Sequence, residues 1–157
     1  MATVEHFEEL VVWKLARELS IEIFELLIVP PISKDFKLRD QMSGSTGSVM
    51  DNIAEGFERG SKNEFVNFLS YSKGSLGELK SQVYRSFDRK YISEEKCNSL
   101  KLKIELLANK IGSLMIYLNK CIYKGLKFKN RRDEPRKPNS GKNNNNKGAG
   151  ENEDLTN

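Results

Sequence analysis

The stretch Asn52-Ile53-Ala54-Glu55-Gly56, continuing through Glu58-Arg59-Gly60-Ser61-Lys62-Asn63-Glu64-Phe65 to Phe68-Leu69, constrains the fold more than any other part of the chain. Its spacing predicts the end of one helix, a tight turn, and the capped start of the next. Gly60 suits the left-handed conformation that ends many helices. Ser61 with Glu64 three residues later fits a capping box, in which each side chain accepts from the other residue's backbone amide. So short a joint places the two helices side by side and antiparallel.

Three further joints and stripes repeat this logic. From about Glu8 to Val29, Leu10, Trp13, Ala16, Leu19, Ile23, Phe24 and Leu27 recur at three- and four-residue steps, with Lys14, Arg17, Glu18, Glu22 and Glu25 on the complementary face. Pro30-Pro31 stops this helix, because neither residue can donate its amide. A second helix is expected from about Lys34 to Phe57, capped by Ser33, with Asp35 in the first turn. Its apolar residues are Phe36, Leu38, Met42, Val49, Met50, Ile53 and Phe57. The middle, Ser43-Gly44-Ser45-Thr46-Gly47-Ser48, has poor helix propensity, each glycine being about 1 kcal/mol worse than alanine. We read it as continuous helix, since Met42, Val49 and Ile53 keep their seven- and four-residue spacing across it. Such small residues would also let a neighbouring helix approach closely.

The third helix is expected to run to about Lys90, burying Phe65, Phe68, Leu69, Ser72, Leu76, Leu79, Val83 and Phe87 and thinned at Gly74, Ser75 and Gly77. Ser93 caps the fourth, with Glu94 and Glu95 in its first turn. Cys97, Leu100, Ile104, Leu107, Ala108, Ile111, Leu114, Met115, Leu118 and Ile122 then repeat at helical spacing. No period-two strand run is present. The expected fold is all-α: an antiparallel up-down-up-down four-helix bundle over residues 1–126, then a disordered C-terminal tail over 127–157.

The tail is set apart by composition. It is almost devoid of apolar residues and cannot bury enough surface to offset its ordering entropy. It also carries most of the charge imbalance. The chain has 26 Lys/Arg and 22 Asp/Glu, a net charge of +4; without the tail, the two signs almost balance. Within the tail Lys127, Lys129, Arg131, Arg132, Arg136 and Lys137 form a basic segment and the far end is acidic. Two readings of that segment stay open: an electrostatic footprint for nucleic acid, or a solvated extension that keeps the protein in solution.

Candidate chemistry is sparse. His6 has no companion histidine, so a metal or nucleophile–base role lacks partners. Cys97 and Cys121 stand 24 residues apart in one expected helix, roughly 36 Å at its ordinary rise, too far to bridge, and read as reduced apolar residues. No Glu-x-x-His pair for a carboxylate-bridged metal site is present, and no phosphate-binding glycine loop follows a strand. No catalytic residue, metal or cofactor is expected. Glu55, Glu64, Glu78 and the amide of Asn52 are the polar residues worth following; Asn52 and Glu55 read as groups that bond to a neighbouring helix or subunit rather than as a polar patch that binds a partner. Arg59 is expected to pair with Glu55 one turn away. Phe65, Phe68 and Phe87 read as core rather than as a base-stacking platform. The first nine residues have no secretory leader, and no apolar run is long enough for a bilayer; a cytoplasmic location without membrane contact is expected.

Several blocks together resemble a known family. Phe7-Glu8-Glu9-Leu10 with Val12-Trp13-Lys14-Leu15-Ala16, then Phe36, Leu38, Gln41-Met42 and Ser48-Val49, the Asn52 to Gly56 block, Ser61-x-x-Glu64-Phe65-x-x-Phe68-Leu69, Gly74-Ser75 with Glu78-Leu79, and Gln82 with Tyr91-Ile92-Ser93-Glu94-Glu95 resemble bacterial four-helix-bundle proteins encoded within intervening sequences of large-subunit ribosomal RNA genes. That family is similar to the accessory variability protein of diversity-generating retroelements. The resemblance implies a non-enzymatic antiparallel bundle, assembly into a homopentamer, and partners such as RNA, DNA or a reverse-transcriptase-like protein. It makes Asn52, Glu55, Gly56, Arg59, Glu64, Gly74, Ser75 and Glu78 signature residues. Relatives often carry a basic pair after the Gln-Met of the second helix, where this chain has Ser43 and Gly44.

Overall fold

The structure is a computed structural model describing residues 4–121. Its four long helices are α1 (Val11–Leu27), α2 (Phe36–Glu58), α3 (Lys62–Asp88) and α4 (Glu94–Lys120), with single 3-10 turns at Phe7–Glu9 and Ile32–Lys34. Each packs on its sequence neighbours and α1 closes on α4, which makes the antiparallel bundle. No strand occurs among the described residues. The expected tail, and Ile122 at the expected end of the fourth helix, lie outside the described residues.

The core follows the apolar period. Ala16, Leu19 and Ile23 of α1, Leu38, Met42, Val49 and Ile53 of α2, Phe65, Leu69, Leu76, Leu79 and Val83 of α3, and Leu100, Ile104, Leu107, Ile111 and Leu118 of α4 are all buried. At roughly 1.5–3 kcal/mol for each fully buried large aliphatic or aromatic side chain, this stripe dominates folding. It also carries α2 through its small-residue middle. Thr46 is buried and donates from Oγ1 to the Met42 carbonyl at 2.6 Å, and tertiary packing outweighs low propensity.

Several boundaries and faces differ from expectation. Asp35, not Ser33, caps α2: its carboxylate accepts from the Leu38 amide at 3.2 Å, while Ser33 lies in the preceding 3-10 turn. The shorter reach to the third residue inside the helix favours the acid here. Ser61 precedes α3 with extended backbone, but its side chain makes no capping hydrogen bond; Glu64 turns to Arg59 instead. Ser93 caps α4 as expected, accepting from the Lys96 amide at 3.1 Å, and Gly60 is left-handed with φ +68°.

Phe24 and Phe36, expected on apolar faces, are 60% and 63% exposed, and Phe68 and Phe87 are half-buried. The helical period does place Phe24 near the core stripe, but a four-helix core leaves no room at its edge. The glycines also act differently. A Cβ on Gly44, Gly47, Gly74 or Gly77 would meet nothing within 4 Å, so these do not bring α2 and α3 together. The close approach is at Gly56.

Candidate functional site

The residues singled out in the sequence gather along one line, the seam between α2 and α3. At the end where α2 starts, Arg89 donates to the Asp35 carboxylate, which also accepts from the Tyr91 hydroxyl at 3.2 Å. One step along, Arg85 donates to Gln41 Oε1 at 2.9 Å. Next, Gln82 Nε2 donates to Ser45 Oγ at 2.9 Å and Ser45 Oγ donates to Glu78 Oε2 at 3.2 Å. Ser75 Oγ then donates to Ser48 Oγ at 3.0 Å, and Ser72 Oγ to the Val49 carbonyl at 2.6 Å. At the far end Arg59 donates to Glu55 at 2.5 Å and to Glu64 at 3.3 Å, with its guanidinium 4.8 Å from the Phe68 ring centroid.

Ser45 and Ser48 of the small-residue run therefore are bonding groups, and they tie the two helices in one register. Asn52 takes part indirectly. It was expected to bond across the seam, but its Nδ2 donates back one turn to the Ser48 carbonyl at 2.8 Å and to Ser48 Oγ at 3.0 Å. The four-residue geometry of its own helix wins over the longer reach. Glu55 likewise pairs within its own helix, as Arg59 was expected to do. Hydrogen bonding to Glu55 raises the Arg59 pKa above its ordinary value, against some desolvation, with Glu64 adding to the rise. Gly74 stands exposed outside the ladder. One atom in the ladder has no hydrogen-bond partner, the buried Gln82 Oε1.

This arrangement has the character of a structural seam. No group of three or more His, Cys, Asp or Glu that could hold a metal occurs among the described residues. A shallow cleft of 590 Å³ at the α3–α4 turn is lined by Phe87, Asp88, Lys90, Tyr91, Ile92, Ser93 and Glu94. Ser93 there is engaged as a helix cap, and no histidine or cysteine lines the cleft. Cys97 is buried, Cys121 half-buried, and both are free thiols.

What sequence reasoning missed is how the charge is distributed. The described residues balance in sum, but not in space. Residues 4–58, which contain α1 and α2, hold five Lys/Arg against eleven Asp/Glu, a net of −6. Residues 59–121, which contain α3 and α4, hold twelve Lys/Arg against six Asp/Glu, a net of +6. About half of each sum belongs to the helices themselves, −3 on α1 with α2 and +3 on α3 with α4, and the rest to the N-terminal residues and the joints, so the α1–α2 pair is the more acidic side and α3–α4 the more basic. Counting charge helix by helix would have found this. On the basic side Lys73, Lys103 and Lys110 are exposed. Lys80 Nζ reaches Glu105 at 2.6 Å, and Lys101 lies 4.6 Å from the Tyr84 ring centroid. Hydrogen bonding to Tyr84 raises the Lys101 pKa, so this ammonium stays charged. The two sides meet at Glu22 of α1, which accepts from Lys96 at 2.8 Å and from Lys103. The expected basic residues Lys127, Lys129, Arg131, Arg132, Arg136 and Lys137 lie outside the described residues.

The protein is thus an all-α bundle with a bonded polar seam and an uneven distribution of charge between its helix pairs. Residues 8–113 match the family described as 23S rRNA-intervening sequence protein, and the chain belongs to that family. A solved structure described as a protein of unknown function from the S23 ribosomal protein family, from Bacteroides thetaiotaomicron VPI-5482, aligns with TM-score 0.63 and 20% identity over 68% of this chain and 96% of that one. That likeness establishes the fold. No curated protein matches the chain. Neither the matched family nor the solved structure is described as an enzyme. Among the described residues no helix is long and apolar enough to cross a membrane.

Proposed function

We propose that this family member is a non-enzymatic, self-associating helical bundle that binds RNA, or a nucleoprotein partner. The contact would be made through its basic α3–α4 side together with the Lys127–Lys137 segment that follows α4 in sequence. The observation that supports this most is the charge split: a net +3 on α3 and α4, in a bundle of no net charge, gives a polyanion one face to approach and one to avoid. The description of the matched family, 23S rRNA-intervening sequence protein, is in keeping with this reading. In a retroelement-accessory form of the same reading, the partner would be a reverse-transcriptase-like protein. Assembly into five copies is carried by resemblance. Exposed apolar residues on α1 and α4, among them Phe24, Leu102, Leu106 and Ile116, are surfaces it would cover.

Fluorescence anisotropy with a labelled single-stranded RNA across a salt series tests this. Removing residues 127–157 is expected to reduce affinity strongly, and Lys73→Gln with Lys110→Gln to lower the salt slope by about one for each phosphate no longer neutralised. Unchanged affinity in both variants would remove the nucleic-acid role. Light scattering tests assembly, a monomer mass at micromolar concentration being the contrary result. The same exposed apolar residues favour a second reading, a protein-interaction adaptor with no nucleic-acid role. Recovery of protein partners after nuclease treatment, with no RNA bound at low salt, would select it.

A further inference from the structure

Two rows of residues face each other across the outer seam of α3 and α4. On α3, Lys73, Gly77, Lys80 and Tyr84 stand at steps of four, three and four, which puts them on one face of the helix. On α4, Lys101, Glu105, Ala108 and Gly112 repeat the same steps. Three contacts fix the antiparallel register. Lys101 Nζ lies 4.6 Å from the Tyr84 ring centroid. Lys80 Nζ reaches Glu105 at 2.6 Å. Lys73 Nζ is 3.6 Å from where a Cβ on Gly112 would stand. The same register sets Gly77 opposite Ala108, and a Cβ on Gly77 would meet nothing within 4 Å. The middle of the seam is therefore a shallow trough, with a lysine at each end, about 16 Å apart along the helices.

Charge and ring occur together in this trough. Three lysines stand against one acid, Glu105, which is already engaged by Lys80. The next acid on α3 is Asp88, one turn beyond Tyr84. Lys101 lies against the Tyr84 ring, yet this tyrosine stays 42% exposed. An exposed ring beside an ammonium is what unpaired nucleic acid needs: the ring stacks a base, since every base has a π-face, and the ammonium takes a neighbouring phosphate. A duplex keeps its bases stacked inside, and its major groove is too deep and narrow for side chains. It would touch the lysines and not the ring. The exposed Leu102 and Leu106 follow Lys101 and Glu105 by one position, about 100° round α4. Copies joined over those leucines leave the trough open.

We propose that this trough is a site for single-stranded RNA, with one unpaired base stacked on Tyr84 and phosphates held by Lys101 and Lys73. The site rests on the nucleic-acid reading above and narrows it, to an unpaired strand and to one residue that touches a base.

Anisotropy titrations of the full-length protein with labelled oligo(U), and with a labelled RNA duplex of the same length, test it. At equal salt the oligo(U) is expected to bind about tenfold more tightly than the duplex. Tyr84→Leu should weaken oligo(U) binding by roughly five- to hundredfold, the scale of stacking one base, and leave the salt slope and duplex binding unchanged. Tyr84→Phe keeps a ring and should keep the affinity. Lys101→Gln should instead lower the salt slope by about one. Tyr71→Leu removes another exposed tyrosine, one turn from Ser75 on the α2 side of α3, and should change nothing. Photocrosslinking of the unaltered protein to iodouridine-substituted oligo(U), read by mass spectrometry, needs no variant to fold, and the expected adduct is on Tyr84. An adduct on Tyr71 or Tyr117 instead, a duplex bound as tightly as oligo(U), or unchanged affinity in Tyr84→Leu would overturn this site and leave the nucleic-acid reading standing. Failure to bind either RNA at low salt would overturn both.

Discussion

A Cβ placed on Gly56 would stand 2.6 Å from the Cβ of Phe68 and 3.1 Å from Cδ2 of Phe65. The glycine is what lets α3 fold back on α2 so soon after the turn, because the obstructing atom is a Cβ fixed to a helical backbone and cannot swing aside. Gly56→Ala is therefore expected to destabilise the bundle by about 1–3 kcal/mol through overpacking, despite the gain of about 1 kcal/mol in helix propensity. Urea midpoints of the two proteins measure this; an alanine variant of equal or higher stability would contradict the packing described.

The other helical glycines of α2 and α3 predict the reverse. Gly44, Gly47, Gly74 and Gly77 have open space where a Cβ would sit. Alanine at each should raise stability by up to about 1 kcal/mol, since glycine loses more backbone freedom on folding. Thermal unfolding reads the gain, and light scattering on the same samples reads whether the mass in solution matches that of the unaltered protein. A variant that melts higher but no longer assembles would place that glycine at a contact between copies.

Ser45 stands between Gln82 and Glu78 and satisfies the Gln82 amide. Ser45→Ala leaves that buried donor without its partner and should cost about 1–3 kcal/mol. Gln82→Met should be nearly neutral or stabilising, because it also removes Oε1, the buried atom with no partner. Chemical denaturation of the two single variants checks the order; equal losses would show that the seam tolerates an orphaned donor.

Acid should weaken the contact between the two sides. Burial raises the Glu22 carboxyl, but hydrogen bonds from Lys103 and Lys96 outweigh it and hold the pKa below the ordinary 4.5. The folded value being the lower one, Glu22 stabilises fully above about pH 4.5 and loses its contribution as the pH falls further. Asp35 acts in the same sense, held down first by the Leu38 amide and also by Arg89 and Tyr91. Glu22→Gln should cost up to about 1 kcal/mol at pH 7 and progressively less as the pH falls below 4.5. Melting temperatures of wild type and variant across this range measure it, and a difference that does not shrink in acid would refute the assignment.

The helices were legible because their apolar residues repeat at the helical period over many turns, and chain order with short joints left few ways to stack them. The faces of Phe24 and Phe36 were not, since periodicity gives a direction but not the width of the core. Asp35 and Ser33 are both acceptable caps by type, and only the backbone decides which one reaches an amide. The serines of the α2 middle look merely small in the sequence when they are bonding groups, a distinction that needs Gln82, Glu78 and Ser75 opposite them. The direction of Asn52 was hidden because sequence does not show which of two nearby acceptors is closer. The charge split was legible, but only to a count made by helix rather than by chain.

That split makes the bundle an electric dipole. Freed of its tail, it would be retained by both cation and anion exchangers near neutral pH, and it would drift little in an electric field while turning to align with one. Beside a charged polymer its behaviour would depend on orientation first and on total charge hardly at all.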